Sequence, residues 1–218
     1  MKAPTLVEKL AAARLYGIVD LGYLAEEDLE RATRALLAGG VDLLQLRAKN
    51  YDESSSCALA TRLLPLCRDA GVPLIVNDFV GAARDSGVDG VHLGQDDGAL
   101  SEARGRLDPG VLVGRSTHSP EQARAALAEG ADYIGFGPLF PTPTKLGRPG
   151  IGLEDLATVQ GTVGLRLPVF CIGGIKPSNL AEVLAAGARR VVIVSGLLQA
   201  DDIASRTREV RELLADSG

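Results

Sequence analysis

Short apolar runs recur along the chain and alternate with longer amphipathic stretches. Each run has the length of a buried strand, and the flanking residues are rich in Gly, Pro and Asp. The predicted strands are residues 15–20, 41–47, 72–78, 88–94, 111–116, 131–138, 167–174 and 188–196. Runs that are apolar on both faces are typical of parallel strands covered by helices.

The stretches between these strands carry apolar residues at helical spacing, which predicts amphipathic helices. Shared faces are predicted for Leu29, Thr33, Leu36 and Leu37, for Leu180, Val183 and Leu184, and for Ile203, Thr207, Val210 and Leu214. Ser119 and Gln122 predict a capping box, with Pro120 at the first helical position. The segment after the fourth strand has the weakest helical pattern.

The segments that connect a helix to the next strand have a similar sequence before every second strand. The segments GGVD (39–42), SGVD (86–89), EGAD (129–132) and AGAR (186–189) precede the second, fourth, sixth and eighth strands. Glycine in each can adopt the left-handed conformation that ends a helix. We therefore predict α/β class, with one domain over residues 1–218 that forms a single (β/α)8 TIM barrel. A doubly wound open sheet is the structural alternative.

Composition narrows the classes of function. Apolar residues make up 46% of the chain and aromatic residues 4%, so the core is built from Ala, Val, Leu and Ile. The net charge of −5 argues against a nucleic-acid partner. The three Cys form no CxxC pair and suit free thiols in a reducing cytosol, so we predict a cytoplasmic protein. We expect no signal peptide and no membrane partner, because no apolar run approaches the ~18 residues of a span. The oligomeric state stays open, a homo-oligomer included.

Polar residues or glycines follow almost every predicted strand at its carboxyl end, where barrel enzymes carry their active sites. In chain order these residues are Gln45, Arg47 and Lys49; Asn77 and Asp78; Gln95, Asp96 and Asp97; Ser116, Thr117 and His118; Thr142, Thr144 and Lys145; Gly173 and Gly174; and Ser195 and Gly196. The opposite loops are mostly plain turns. The pattern therefore predicts a functional site at the C-terminal face.

The residue types suit a metal ion and phosphate groups. Asp78 and Asp97 could hold Mg2+ together with substrate phosphate oxygens. Alternatively, Asp78 caps the next helix and Asp97 is a solvated loop acid. Arg47, Lys49 and Lys145 suit phosphate binding, although any single Lys is more often a surface charge.

Glycines and histidines add two further candidates. Phosphate loops of barrel enzymes usually follow the seventh and eighth strands. The Gly pair after the seventh strand and Ser195-Gly196 after the eighth have this position. His92 lies inside the fourth strand, and we interpret it as a hydrogen-bonded barrel residue. His118 follows the fifth strand and could serve as an acid or base.

Five segments together resemble one known family. They are QLRAK (45–49), VNDFVGAARDSGVDGVHLGQDD (76–97), GRSTHSPEQARAALAEGADYIGFGPLFPTPTK (114–145), CIGGI (171–175) and VVIVSG (191–196). In order and spacing they closely resemble the thiamine-phosphate synthase family over roughly residues 15–200. The resemblance implies a (β/α)8 barrel that joins a pyrimidine methyl diphosphate to a thiazole phosphate. The products are thiamine phosphate and pyrophosphate, plus CO2 when the thiazole carries a carboxylate.

Motif by motif, the resemblance also implies roles for residues. The pyrimidine diphosphate would be held by Gln45, Arg47, Lys49, Asn77, Ser116 and Lys145, of which Arg47, Lys49, Ser116 and Lys145 would be catalytic. The thiazole phosphate would be held by Thr142, Thr144, Gly174, Val194 and Ser195. One Mg2+ per subunit would be held by Asp78 and Asp97. Arg115 and the GAL after GQDD depart from the family pattern, and neither is expected to touch a ligand.

Two other functions compete with this interpretation. A thiazole tautomerase on the same barrel would use His118 as the acid or base and would not need Mg2+. A non-catalytic phosphometabolite sensor on a barrel is the second alternative, and the intact set of cations and carboxylates argues against it. Asn77-Asp78, the GQDD segment and Thr144-Lys145 favour a diphosphate and a metal, and therefore the synthase.

Overall fold

Eight parallel strands close into a barrel, with each strand paired to the next along the chain and the first paired to the last. The computed structural model describes residues 3–142 and 150–216. The strands are β1 Leu15–Asp20, β2 Leu43–Arg47, β3 Leu74–Asn77, β4 Gly90–Leu93, β5 Leu112–Thr117, β6 Tyr133–Phe136, β7 Val169–Cys171 and β8 Val191–Ile193. The (β/α)8 prediction is confirmed. The open-sheet alternative is wrong, because Leu15 to Gly17 pair with Val191 to Ile193.

Helices surround the barrel. In the described ranges they are α1 Leu6–Ala12, α2 Leu29–Gly39, α3 Glu53–Ala70, α4 Val80–Ser86, α5 Leu100–Gly105, α6 Pro120–Ala128, α7 Leu156–Thr162, α8 Pro177–Ala185, α9 Ser195–Leu198 and α10 Ile203–Ala215. Short 3₁₀ turns lie at Glu26–Asp28 and Val163–Leu165. No helix within these ranges is long and apolar enough to cross a membrane.

Helix termini follow the predicted chemistry with one difference. Gly40, Gly87, Gly130 and Gly187 all have positive φ, as predicted for the similar connecting segments. Ser119 accepts a hydrogen bond from the backbone N–H of Gln122. The Gln122 side chain, however, accepts from the backbone of His118 at 2.8 Å instead of that of Ser119. The predicted reciprocal capping box is therefore shifted by one residue.

Helix α1 closes the barrel at the N-terminal ends of the strands. Thr5 caps it, and the Glu8 carboxylate accepts from the Thr5 backbone at 2.7 Å. Leu10 and Ala13 are buried in the same apolar cluster as the inward-facing barrel residues. The sequence pattern did not predict this helix, because it is only seven residues long.

The inward-facing positions change character along the barrel axis. They are mostly apolar near the N-terminal ends of the strands and polar near the C-terminal ends. The first group is Tyr16 and Ile18 on β1, Leu43 on β2, Ile75 on β3 and Leu112 on β5. The second group is Asp20 on β1, Gln45 and Arg47 on β2, Asn77 on β3 and Ser116 on β5. The N-terminal half of the barrel is therefore a packed core, and the C-terminal half lines a cavity.

The free thiols lie away from this cavity lining. Cys67 and Cys171 are buried and Cys57 is half-buried, and none forms a disulfide. Burial raises the pKa of Cys67 and of Cys171 to about 12, so both stay protonated. They are structural residues of the core.

Candidate active site

A cavity of about 330 Å³ opens at the C-terminal end of the barrel. Eight residues that the resemblance assigned to the site line it: Gln45, Arg47, Lys49, Asn77, Asp78, Asp97, Ser116 and Val194. Its wall also contains Tyr16, Phe170 and Val192, which had no assignment. Alternating strand residues thus bring distant parts of the chain to one surface.

A second, smaller cavity of about 40 Å³ adjoins the first. Thr142, Gly174, Val194 and Ser195 line it, and both cavities share Ile172, Val192 and Val194 in their walls. The described residues assigned to the two substrates therefore line two neighbouring cavities, and Val194 lines both. Thr144 and Lys145 lie outside the described residues.

Asp78 faces a cation and a second carboxylate. Lys49 Nζ lies 2.5 Å from Asp78 Oδ2. Burial raises the pKa of Asp78, Lys49 opposes the rise, and the nearby Asp97 carboxylate adds to it. Asp78 does not cap α4, since Phe79 is the N-cap residue and no side chain caps that helix. Asp97 is exposed, but its carboxylate accepts from the backbone N–H of Gly94 at 2.6 Å.

This pair of acids fits a divalent metal. Within residues 3–142 and 150–216 there is no group of three or more His, Cys, Asp or Glu that could hold a metal alone. Mg2+, however, is commonly held by one or two carboxylates and substrate phosphates. Burial is the main cause of the raised pKa of Asp78, and the neighbouring Asp97 carboxylate adds to it. A cation between the two acids would relieve this second contribution.

Arg47 is held in place by a buried acid. Its guanidinium lies 2.7 Å from Asp20, which is 1% exposed. Asp20 also accepts from the backbone N–H of Gly22 at 2.9 Å. Sequence reasoning missed Asp20, although it ends β1 directly opposite Arg47 in the strand register.

Arg115 ties down the loop that carries Asp97. It is 5% exposed, and its guanidinium donates to the carbonyl oxygens of Gly94 and Gly98, the latter at 2.6 Å. Gln95 Nε2 adds a bond from the same loop to the carbonyl of Ser116. Arg115 lies outside the cavity lining, as expected, but it positions the segment between Gly94 and Gly98.

The two histidines differ in setting. His92 contacts the Tyr133 hydroxyl through Nδ1 at 3.3 Å and the Ser116 hydroxyl through Nε2 at 3.0 Å. This agrees with a hydrogen-bonded barrel residue, although its ring also lines the cavity. His118 also lines the cavity, and its Nδ1 contacts the carbonyl oxygen of Gly137.

Residues 15–197 match the sequence profile of a family described as thiamine monophosphate synthase. The chain belongs to this family. The matched region contains every strand and both cavities. The enzyme is therefore a thiamine-phosphate synthase by family, a transferase of thiamine biosynthesis.

Individual relatives agree with the family match. The chain is 48% identical over 203 residues to the thiamine-phosphate synthase of Thermus thermophilus, covering 92% of this chain and 97% of that one. It is 42% identical over 220 residues to that of Mycobacterium tuberculosis, covering 94% and 96%. The solved thiamine phosphate pyrophosphorylase of Pyrococcus furiosus superposes with a TM-score of 0.85 at 32% identity, covering 98% and 99%. These relatives give no support to the tautomerase or the sensor.

Proposed function

We propose that the larger cavity binds the pyrimidine methyl diphosphate, with one Mg2+ between Asp78 and Asp97, and that the smaller cavity binds the thiazole phosphate. One observation carries this assignment. Arg47, Lys49 and the two acids share one mouth, while the uncharged Gln45 and Ser116 line the same cavity. Such a cavity suits a ligand with an uncharged ring and an anionic tail. The cytoplasmic location and the single ion per subunit stay predictions.

The charged end of the cavity suits a diphosphate. Arg47 offers a planar pair of donors and Lys49, whose side chain is 52% exposed, offers a point charge. Asn77 Nδ2 is buried without a hydrogen-bond partner among the described residues, and a donor in this state favours a nearby ligand oxygen. Lys145 stays a predicted third cation.

The smaller cavity suits a phosphate because the main chain can approach closely. Gly174 has a φ of 67°, and a Cβ there would lie 2.7 Å from the Phe140 side chain. Ser195 begins α9, whose first N–H groups have no intrahelical acceptor. The hydroxyls of Thr142 and Ser195 can add donors beside this main chain.

The chemistry requires charge neutralisation and alignment. The bond between the methylene carbon and the diphosphate oxygen breaks, and its electron pair leaves with pyrophosphate. The aminopyrimidine ring stabilises the cation, and the thiazole nitrogen lone pair forms the new C–N bond. When the thiazole carries a 2-carboxylate, its C–C bond breaks and CO2 leaves, and the electron pair left on C2 of the ring takes up a proton from water. Bound Mg2+ would neutralise charge on the pyrophosphate.

The protein's part in this reaction is to hold both partners. Arg47 and Lys49 bind the leaving oxygens, and Asp20 and Asp78 already orient these two cations. The two cavities share Ile172, Val192 and Val194 in their walls, which supports a binding mode with the thiazole nitrogen next to the methylene carbon. The reaction needs no strong base, so His118 has no required proton-transfer step.

An assay with both substrates tests the proposal. We expect the purified enzyme to release thiamine phosphate and pyrophosphate with Mg2+, and to stop when a chelator is added. Chelator-insensitive turnover would contradict the metal assignment. Isomerisation of the thiazole alone, or tight binding of thiazole phosphate with no turnover, would contradict the proposed reaction.

Arg115→Met is expected to raise the Mg2+ concentration needed for half-maximal activity about tenfold, with a smaller effect on kcat at saturating metal. The variant loses the two hydrogen bonds from the guanidinium to the carbonyl oxygens of Gly94 and Gly98, each worth about 1.5–3 kcal/mol because the donor is charged. The loop around Asp97 should therefore become mobile. Hydrogen exchange of the segment between Gly94 and Gly98 measures this directly, alongside the metal titration.

Arg104→Met is the matched control. Arg104 also donates to a main-chain carbonyl, that of Gly130, but at the opposite end of the barrel. It should lower stability by a similar amount without changing the Mg2+ requirement. Equal Mg2+ titrations for both variants would show that Arg115 acts only through stability.

A further inference from the structure

A chain of hydrogen bonds crosses the barrel interior beneath the cavity. Gln45 Nε2 donates to the Tyr16 hydroxyl at 2.7 Å, and the hydroxyls of Tyr16 and Tyr133 lie 3.1 Å apart. Tyr133 contacts His92 Nδ1 at 3.3 Å, and His92 Nε2 contacts Ser116 Oγ at 3.0 Å. The ends of this chain, Gln45 and Ser116, both line the larger cavity.

Because the Gln45 amide donates at one end, the donor and the acceptor in every other hydrogen bond of this network are determined. Because Tyr16 accepts from Gln45, its own proton goes to the oxygen of Tyr133. The Tyr133 proton then goes to His92 Nδ1, which places the His92 proton on Nε2. His92 donates to Ser116 Oγ, so the Ser116 hydroxyl keeps its proton for the cavity. At the other end, Gln45 Oε1 remains an acceptor.

The protons stay on the tyrosines. Burial raises the pKa of Tyr16 and of Tyr133 well above the ordinary value for a phenol. Turning over the Gln45 amide would therefore require every hydroxyl and the His92 tautomer to reverse together. The hydrogen-bond network therefore has only two arrangements in which every donor meets an acceptor. No residue in it can reverse its hydrogen bonds alone without leaving a buried polar group unsatisfied.

The surrounding packing holds the rings of Tyr16, Tyr133 and His92 in the positions that these hydrogen bonds require. A Cβ on Gly114 would lie 2.2 Å from Tyr133 Cζ, so glycine is required where the ring crosses β5. A Cβ on Gly135 would lie 3.4 Å from His92 Cε1. Tyr16 and Tyr133 also pack edge-on against Phe170, with ring centroids 5.4 and 5.8 Å from it.

We propose that Tyr16, Tyr133 and His92 are positioning residues that determine substrate specificity. They hold the Gln45 side chain as an acceptor and the Ser116 hydroxyl as a donor toward the cavity. The cavity thereby selects an aminopyrimidine over an oxopyrimidine. An exocyclic amino group donates to Gln45 Oε1, and a ring nitrogen accepts from Ser116. In an oxopyrimidine the exocyclic oxygen faces Gln45 Oε1 and both atoms are acceptors. The inference rests on the proposed function, which places the pyrimidine between these residues.

Tyr133→Phe tests the chain by removing one hydroxyl. The readout is the dissociation constant of the analogue with oxygen in place of the amino group, divided by the dissociation constant of the aminopyrimidine diphosphate. We expect this ratio to fall at least about tenfold, because the intact hydrogen-bond network prevents Gln45 from turning its amide N–H toward the oxopyrimidine, and loss of the Tyr133 hydroxyl allows this. Tyr16→Phe should act in the same direction, and Tyr51→Phe, which removes a surface hydroxyl bonded to Glu26, should not change the ratio.

The outcomes separate this inference from the proposed function. Equal weakening of both ligands in Tyr133→Phe and Tyr16→Phe would show that the tyrosines contribute packing only, and would overturn the inference. Ser116→Ala supplies the second comparison. If it leaves aminopyrimidine binding unchanged, the ring does not lie beside Ser116, and the proposed binding mode fails together with the inference.

Discussion

Arg47→Gln is expected to lower kcat/KM for the pyrimidine diphosphate by about 100-fold or more. Removing one preorganised donor at a developing anion typically costs about 100- to 1000-fold in rate. Arg47 is such a donor in the proposed binding mode, because its side chain is 16% exposed and its guanidinium is already oriented by Asp20. Steady-state kinetics at saturating thiazole phosphate and Mg2+ measure the loss.

The same substitution leaves Asp20 as a buried acid without its cation. Breaking a buried pair from one side typically costs about 3–5 kcal/mol, although the Gln amide can still donate to Asp20. The double variant Asp20→Asn/Arg47→Gln removes both charges and should regain stability but not activity. Recovery of both properties would show that Arg47 acts through folding. Arg31→Gln, which breaks an exposed pair with Asp28, is the surface control.

Asp97→Asn and Asp78→Asn are expected to abolish most activity at limiting Mg2+, with at least a tenfold higher metal requirement. The amide keeps an acceptor for the Gly94 N–H, so Asp97→Asn preserves the loop bond seen in the structure. Asn also tolerates the left-handed backbone of Asp78, whose φ is 66°. Each variant therefore removes a proposed metal ligand with little backbone change.

Mn2+ binding in the presence of pyrophosphate gives a readout that does not depend on turnover. Both variants should bind the ion more weakly, whereas Asp108→Asn, an exposed acid just before β5, should bind like the wild type. Wild-type metal affinity in Asp97→Asn would contradict the assignment of Asp97 as a ligand.

The barrel and its functional face followed from the sequence because both depend on local signals. Alternating apolar runs mark the strands, and polar residues at their carboxyl ends converge once the barrel closes. Partners that become neighbours only when two strands pair carry no such signal. Asp20 was the last residue of a predicted strand and Arg115 was expected to touch no ligand, and the strand register places them beside Arg47 and Gly94.

Tyr16 and Tyr133 show a different limit. Their positions inside apolar runs identify them correctly as core residues. Their hydroxyls form a bonded chain only because the inward faces of β1, β2, β4, β5 and β6 meet at one level of the barrel. Side-chain chemistry inside a closed sheet depends on which residues share a level, and this follows from the strand register instead of from any local pattern.

Helix α1 closes the barrel at the N-terminal ends of the strands, on the side opposite the larger cavity. Among the described residues, Leu10 and Ala13 pack at the floor of the barrel, and the larger cavity opens at the C-terminal end. Under the proposed binding mode, pyrophosphate lies nearest that opening and the newly joined rings lie behind it. We therefore expect pyrophosphate to leave first, with thiamine phosphate bound until the exit is free, so that added pyrophosphate slows product release.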